Sequence, residues 1–228
     1  MQIAGLQKLT LLDYPGRIAC TVFLSGCNLR CPFCHNASLV LPGRSSPLLS
    51  DEELLAFLAS RKKKLTGVCI TGGEPTLYPE LPHLLRCIRE LGFAVKLDTN
   101  GTRPEVLREI LNADLVDYVA MDIKNSPEKY AATCGDRDVL AQVRESVKLL
   151  QQSPVEHEFR TTVFHPYHTP EDLAEIGRWL QGEQKYYIQQ FVDSGDLIGS
   201  GTALTPQEMQ VLLDAVLPYI PSAQLRGI

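Results

Sequence analysis

A chain of 228 residues, 44% hydrophobic and 21% charged, has the make-up of a soluble globular protein with one large α/β domain or two small ones. Its net charge of −5, with no basic stripe beyond Arg61-Lys62-Lys63-Lys64, argues against nucleic-acid binding, and no apolar run is long enough to span a bilayer. Seven cysteines, and an opening Met1-Gln2-Ile3-Ala4-Gly5 without the basic and apolar regions of a leader, predict a cytoplasmic chain with reduced thiols.

Ile18 to Leu24 (IACTVFL) reads as a buried strand. The loop after it holds Cys27, Cys31 and Cys34 in the spacing C-x3-C-x2-C. Three thiolates can hold three corners of a cubane iron–sulfur cluster, whose usual complement is four cysteines. No fourth cysteine lies nearby, so the remaining iron would be open to a ligand other than protein. Zinc is the competing reading, because soft thiolates suit it as well. Structural zinc wants four ligands, commonly as two pairs. Here the local fourth candidate is His35, which directly follows Cys34, so the two side chains point apart.

Ser50-Asp51-Glu52-Glu53 is a capping box that opens a helix with Leu54, Leu55 and Leu58 on one face, and Arg61 to Lys64 is its solvated end. Gly67 to Thr71 is a second strand. Leu81, Leu84, Leu85, Ile88 and Leu91 form a helical stripe stopped by Gly92, and Phe93 to Leu97 is a third strand. Thr102 and Pro104 start a helix through Leu111, followed by a fourth strand over Val116–Ile123. A helix with Leu140, Val143, Val147 and Leu150 leads to a fifth strand, Glu156–Phe164. Thr169-Pro170-Glu171-Asp172 opens a helix before the sixth strand, Lys185–Val192, and Thr205-Pro206-Gln207-Glu208 opens the last helix.

Six β/α units without a linker predict one α/β domain over 1–228: an N-terminal extension (1–17), the six units (18–192) and a C-terminal loop and helix (193–228). Six units are too few for a closed eight-stranded barrel, so a partial (β/α)6 barrel is expected, with a doubly wound parallel sheet as the alternative. In either fold, ligands bind at the carboxyl ends of the strands.

Those ends carry the chemistry. The second strand runs into Thr71-Gly72-Gly73-Glu74-Pro75, the third into Asp98-Thr99-Asn100-Gly101 and the fourth into Met121-Asp122-Ile123-Lys124. The fifth carries Arg160 and the sixth Gln189 and Gln190. Taken singly, each has a plain explanation: a tight turn for Gly72-Gly73, helix caps for Asp98 and Asp122, surface charges for Lys124 and Arg160. Together they converge on one rim beside the cysteine loop, where Gly72 and Gly73 admit a ligand against the backbone and Glu74 accepts from an ammonium group. Cys20, Cys69 and Cys87 read as buried small hydrophobes and Cys134 as a loop thiol.

Cys27-Asn28-Leu29-Arg30-Cys31-Pro32-Phe33-Cys34-His35-Asn36 and Gly72-Gly73-Glu74-Pro75 resemble the signatures of the radical S-adenosylmethionine (SAM) superfamily, whose pattern places an aromatic, here Phe33, before the third cysteine. Asp13-Tyr14-Pro15-Gly16-Arg17, Asp98-Thr99-Asn100-Gly101 and Asp122-Ile123-Lys124 are similar to further stretches of glycyl-radical-enzyme activating proteins. The opening Gly5 to Gly16 looks most like those of the anaerobic (class III) ribonucleotide reductase.

The resemblance implies a [4Fe–4S] cluster on Cys27, Cys31 and Cys34, its open iron chelated by SAM. It implies Gly72, Gly73 and Glu74 at the methionine amino group, Phe33, His35 and Asn36 near the adenine, and Asp122, Lys124 and Arg160 at the ribose and carboxylate. A monovalent cation near Asp98 is a further implication. So are a flavodoxin- or ferredoxin-type electron donor and a glycyl radical enzyme partner, whose glycine loses a hydrogen to the radical released from SAM. Alternatives are an activase of another glycyl radical enzyme such as pyruvate formate-lyase, a radical SAM enzyme acting on a small molecule, and a non-catalytic metal-binding module. Two departures stand out. Tyr14 replaces a Gly of the motif, which would reshape the mouth of the site, and Gln189-Gln190-Phe191 stands where a pyruvate formate-lyase activating enzyme has a histidine.

Overall fold

The computed structural model describes residues 1–34, 36–41, 48–193, 195–199 and 201–228. All six predicted strands form, as β2 (Ala19–Leu24), β3 (Gly67–Gly72), β4 (Ala94–Thr99), β5 (Tyr118–Asp122), β6 (Glu156–Val163) and β7 (Tyr186–Gln190). Two more extend the sheet. β1 (Ile3–Thr10) pairs antiparallel with β2, and β8 (Gln224–Arg226) pairs parallel with β7. The eight strands lie in chain order, β1 to β8, and every pair after the first is parallel. A doubly wound sheet reverses its order at a switch point. This sheet has no reversal, and residues from β1 through β7 line one cavity, as in a partial barrel.

Helices fill the connections: α1 (Ala37–Val40), α2 (Asp51–Arg61), α3 (Leu81–Glu90), α4 (Pro104–Asn112), α5 (Tyr130–Thr133), α6 (Leu140–Gln152), α7 (Pro170–Trp179) and α8 (Pro206–Val216). Local chemistry sets their starts. Ser50, Thr169 and Thr205 each accept from the backbone N–H three residues on, and the acid at that position answers the cap's own N–H. Among the described residues, no helix is long and apolar enough to cross a membrane.

The inner strands β2 to β5 are largely buried on both faces, yet only one face is apolar. Val22, Ile70, Val95, Leu97, Val119, Phe159 and Ile188 pack into the main core. The alternate positions Thr21, Cys69, Asp98, Arg160, Thr162 and Gln189 line the cavity instead, and Lys96, 2% exposed, faces the same way as Asp98. Period-2 alternation thus separates a dry shell from a polar interior.

Tyr14 does not shape the mouth. It is buried with Ala19, Tyr118 and Ala120, its ring 6.1 Å from that of Tyr118, beside the residues that begin β2 and β5. The substitution therefore fills the end of the sheet opposite the strand-end rim. There β8 is fixed by charge: both Nη atoms of Arg226 donate to Glu158, at 3.0 and 3.2 Å, and the Tyr118 hydroxyl donates to the same carboxylate at 2.8 Å.

Candidate active site

The cysteine loop leaves the end of β2 and runs beside the segment that follows β3. Gly73 N donates to Leu24 O, and Glu74 N to Gly26 O, both at 2.8 Å. No side chain fits between them. A Cβ on Gly72, whose φ is +122°, would sit 2.2 Å from Leu24 O, and one on Gly73 would sit 1.9 Å from Gly26 O. Both glycines also line the cavity, but what compels them is this backbone-to-backbone packing, which sets the height of the cysteine loop above the sheet.

A cavity of about 310 Å³ opens at these strand ends. It gathers Cys27, Cys31 and Cys34 with Phe33, Asn36, Gly72, Gly73, Asp122, Lys124 and Arg160. Asp98 and Asn100 from the end of β4 and Gln189 from β7 complete the wall. His35 lies outside the described residues. Phe33 packs edge-tilted on Phe164 at 4.8 Å, with Lys124 Nζ 5.8 Å from its ring centre.

Glu74 is fully buried, is not part of the cavity wall, and has both oxygens committed within the protein. Oε1 accepts from Thr76 N (3.1 Å), Thr76 Oγ1 (2.5 Å) and Thr99 Oγ1 (2.8 Å), and Oε2 accepts from Asn100 N (2.6 Å). The carboxylate thus links the loops after β3 and β4.

The charged residues form one alternating chain. Arg160 donates to Asp98 at 3.2 Å and to Asp122 at 2.9 Å, Lys124 donates to Asp122 at 3.0 Å, and Lys96 pairs with Asp98. Burial alone would raise the Asp122 carboxyl, but Arg160 and Lys124 outweigh it and hold the group well below the usual carboxylate range. The same contest ends the same way at Asp98, where Arg160 and Lys96 win. Burial works against the charged form of Lys124, and Asp122 and Cys31 keep it a cation. Asp98 is thus answered by two cationic side chains, Arg160 and Lys96.

All seven cysteines are free thiols. Burial raises Cys27 to about 12, and it raises Cys34 as well. Cys31 is lowered, chiefly by a hydrogen bond from Cys134, with Lys124 helping against burial. Cys134 is therefore no loop thiol but a fully buried group at the end of α5. Cys20 and Cys69 are buried as expected, whereas Cys87 on α3 is only half-buried.

The donor set fits an iron–sulfur cluster. Three reduced thiols on one loop open into one cavity, and N–H groups of Leu29 (3.4 Å) and Asn100 (3.8 Å) point at the Cys27 sulfur. Among the described residues, no three His, Cys, Asp or Glu side chains converge tightly enough for a single metal ion. The corner ligands of a cubane are spread more widely than those of one ion.

Sequence reading missed Lys96 and His168, named Asn100 only within its strand-end segment, and read Cys134 as a loop thiol. Lys96 sits inside an otherwise apolar strand, a signal that was available. His168, 3% exposed, holds the backbone carbonyl of Lys124 through Nε2 at 2.9 Å, a long-range contact no local pattern marks.

Comparison with known proteins places these features. The radical SAM superfamily profile matches residues 21–180. A Methanocaldococcus jannaschii protein, provisionally named a glycyl-radical enzyme activating enzyme, is 34% identical over 197 residues, covering 83% of this chain and 79% of its own. The pyruvate formate-lyase-activating enzyme of Clostridium pasteurianum is 34% identical over 128 residues, 54% of this chain and 52% of that one. The 7-carboxy-7-deazaguanine synthase of Thermococcus kodakarensis is 29% identical over 157 residues, 60% of each chain. Among solved structures, SuiB of Streptococcus suis bound to its precursor peptide superposes with a TM-score of 0.69 at 17% identity, over 91% of this chain and 48% of SuiB.

Proposed function

The chain belongs to the radical SAM superfamily, and we propose that it is an activating enzyme that installs a glycyl radical in a partner protein. The observation that carries this reading is that the C-x3-C-x2-C loop, Gly72-Gly73 and the Asp122–Lys124–Arg160 network share one cavity. The similarity to the Methanocaldococcus protein along most of both chains supports it.

When bound, the cluster and SAM together supply one-electron chemistry that ends in removal of a hydrogen atom from the substrate. The protein's own task is to hold and to shield. Cys27, Cys31 and Cys34 would hold the cluster through their three thiolates. Gly72 and Gly73 present bare backbone to the methionine end. Lys124 and Arg160, each already paired with Asp122, present fixed positive charge to the carboxylate and hydroxyls of the sugar side without reorganising. Phe33 offers an apolar edge beside Asn36 for the adenine. The surrounding strand ends and the cysteine loop would limit the access of water to the ligand.

For the partner we propose a class III ribonucleotide reductase, from the resemblance of Gly5 to Gly16 to its activating proteins. A flavodoxin- or ferredoxin-type protein would supply the electron in the cytoplasm, with the whole chain acting as one domain. The second reading, a small-molecule radical SAM enzyme, is favoured by the likeness to 7-carboxy-7-deazaguanine synthases. Anaerobic reconstitution, reduction and quantification of 5′-deoxyadenosine from SAM test the shared chemistry. Release in wild type and none in Gly72→Val/Gly73→Val is expected, and no release in either overturns it. Release stimulated by the reductase supports the first reading, and release stimulated only by a nucleobase precursor supports the second.

A further inference from the structure

The Cys27 sulfur meets two hydrogen-bond donors, Leu29 N at 3.4 Å and Asn100 Nδ2 at 3.8 Å. Cys134 is seated beside Cys31, with its carbonyl accepting from Arg30 N at 3.1 Å, and its thiol lowers the pKa of Cys31 in support of that placement. Leu29 lies in the loop, so its N–H group comes with the loop's shape. Asn100 and Cys134 come from elsewhere in the fold, and both are held from several sides.

Asn100 donates its backbone N–H to Glu74 at 2.6 Å. Its side-chain oxygen accepts from Thr102 N (3.0 Å) and Thr102 Oγ1 (2.7 Å). With the oxygen so occupied, the NH2 end must face the loop, where it lies 3.1 Å from Asn28 Oδ1 and 3.8 Å from the Cys27 sulfur. Cys134 is fully buried, and its carbonyl accepts from Arg30 N at 3.1 Å. The next residue, Gly135, lies so close that a Cβ there would stand 2.8 Å from Arg30 O. The end of α5 is therefore seated directly on the cysteine loop.

We propose that Asn100 and Cys134 are positioning residues that act through Cys27 and Cys31 to set the electron affinity of the cluster, an inference that rests on the cluster reading above. Donors to a ligating sulfur draw charge from it and stabilise the reduced, more negative cluster. The loop after β4 and the short helix α5 thus tune a centre that neither of them ligates. It also gives the Glu74 of the G-G-E-P segment a purpose: it fixes the backbone from which the Asn100 amide is aimed.

The test is an anaerobic redox titration of the reconstituted protein without SAM, followed by electron paramagnetic resonance, with iron and sulfide counted in each sample. Asn100→Asp keeps the shape and the acceptor for Thr102 but removes the donor. Cys134→Ala removes the other donor, and Cys134→Ser keeps one. Each loss should make reduction harder by up to about tenfold in the one-electron equilibrium, about 59 mV. Cys134→Ser should stay nearer to wild type than Cys134→Ala. Unchanged potentials in cluster-loaded Asn100→Asp and Cys134→Ala overturn the proposal. Should Asn100→Asp load no iron, the two Cys134 variants decide it: equal potentials in Ala and Ser sink it. A wild type without a cubane signal would instead remove the cluster reading itself.

Discussion

Asn100 donates its backbone N–H to Glu74 Oε2 at 2.6 Å across a sequence separation of 26 residues. That bond joins the segment after β3 to the segment after β4, and Thr76 and Thr99 add three more donors to the same carboxylate. Two strand-end motifs that look independent in sequence are one buried assembly.

Glu74→Gln should therefore act on the fold before it acts on the ligand. A glutamine cannot accept from every donor now present, so one N–H would face Asn100 N or the threonines unpaired. The expected loss is about 1–3 kcal/mol in urea unfolding of the cluster-free protein. A variant of wild-type stability that simply binds SAM more weakly would return Glu74 to the role of a direct ligand contact.

Gly73→Ala should detach the cysteine loop. Its Cβ would stand 1.9 Å from Gly26 O, a backbone atom that cannot swing aside. Iron content after reconstitution should fall well below that of wild type, and stability by a few kcal/mol. Full iron loading would show that the close packing is not required.

Arg160 pairs with two half-buried carboxylates, and removing it in Arg160→Met should cost about 1–3 kcal/mol near neutral pH. The pH dependence has a definite sign. Asp98 and Asp122 are both held below their ordinary 3.8 when folded, so their pairs stabilise the protein fully above that value. The contribution is lost as pH falls below it. The gap between wild type and variant should therefore narrow on acidification toward about pH 3. A gap that stays constant would mean the carboxylates are not held low by Arg160.

Much of this was legible from sequence because the relevant signals are local. Capping boxes at Ser50, Thr169 and Thr205, the helical stripe from Leu81 to Ile88 and six apolar strand runs all depend on near neighbours. The cysteine triplet is equally local. What escaped depends on distant partners. β8 is three residues long and exists through its pairing with β7 and the grip of Arg226 on Glu158. β1 is an edge strand with mixed burial and no apolar alternation. Cys134 looked like a loop thiol because nothing near it in sequence shows that α5 rests on Arg30. The burial of Glu74 is equally non-local, because Thr99 and Asn100 set it from the end of the next strand.

The most direct test is electron paramagnetic resonance on the anaerobically reconstituted, reduced protein mixed with SAM and a class III ribonucleotide reductase. A glycyl-radical doublet, absent with Cys31→Ala, is the expected result. No doublet on the reductase, under conditions in which the wild-type protein still releases 5′-deoxyadenosine, would contradict the proposed partner and direct attention to another substrate.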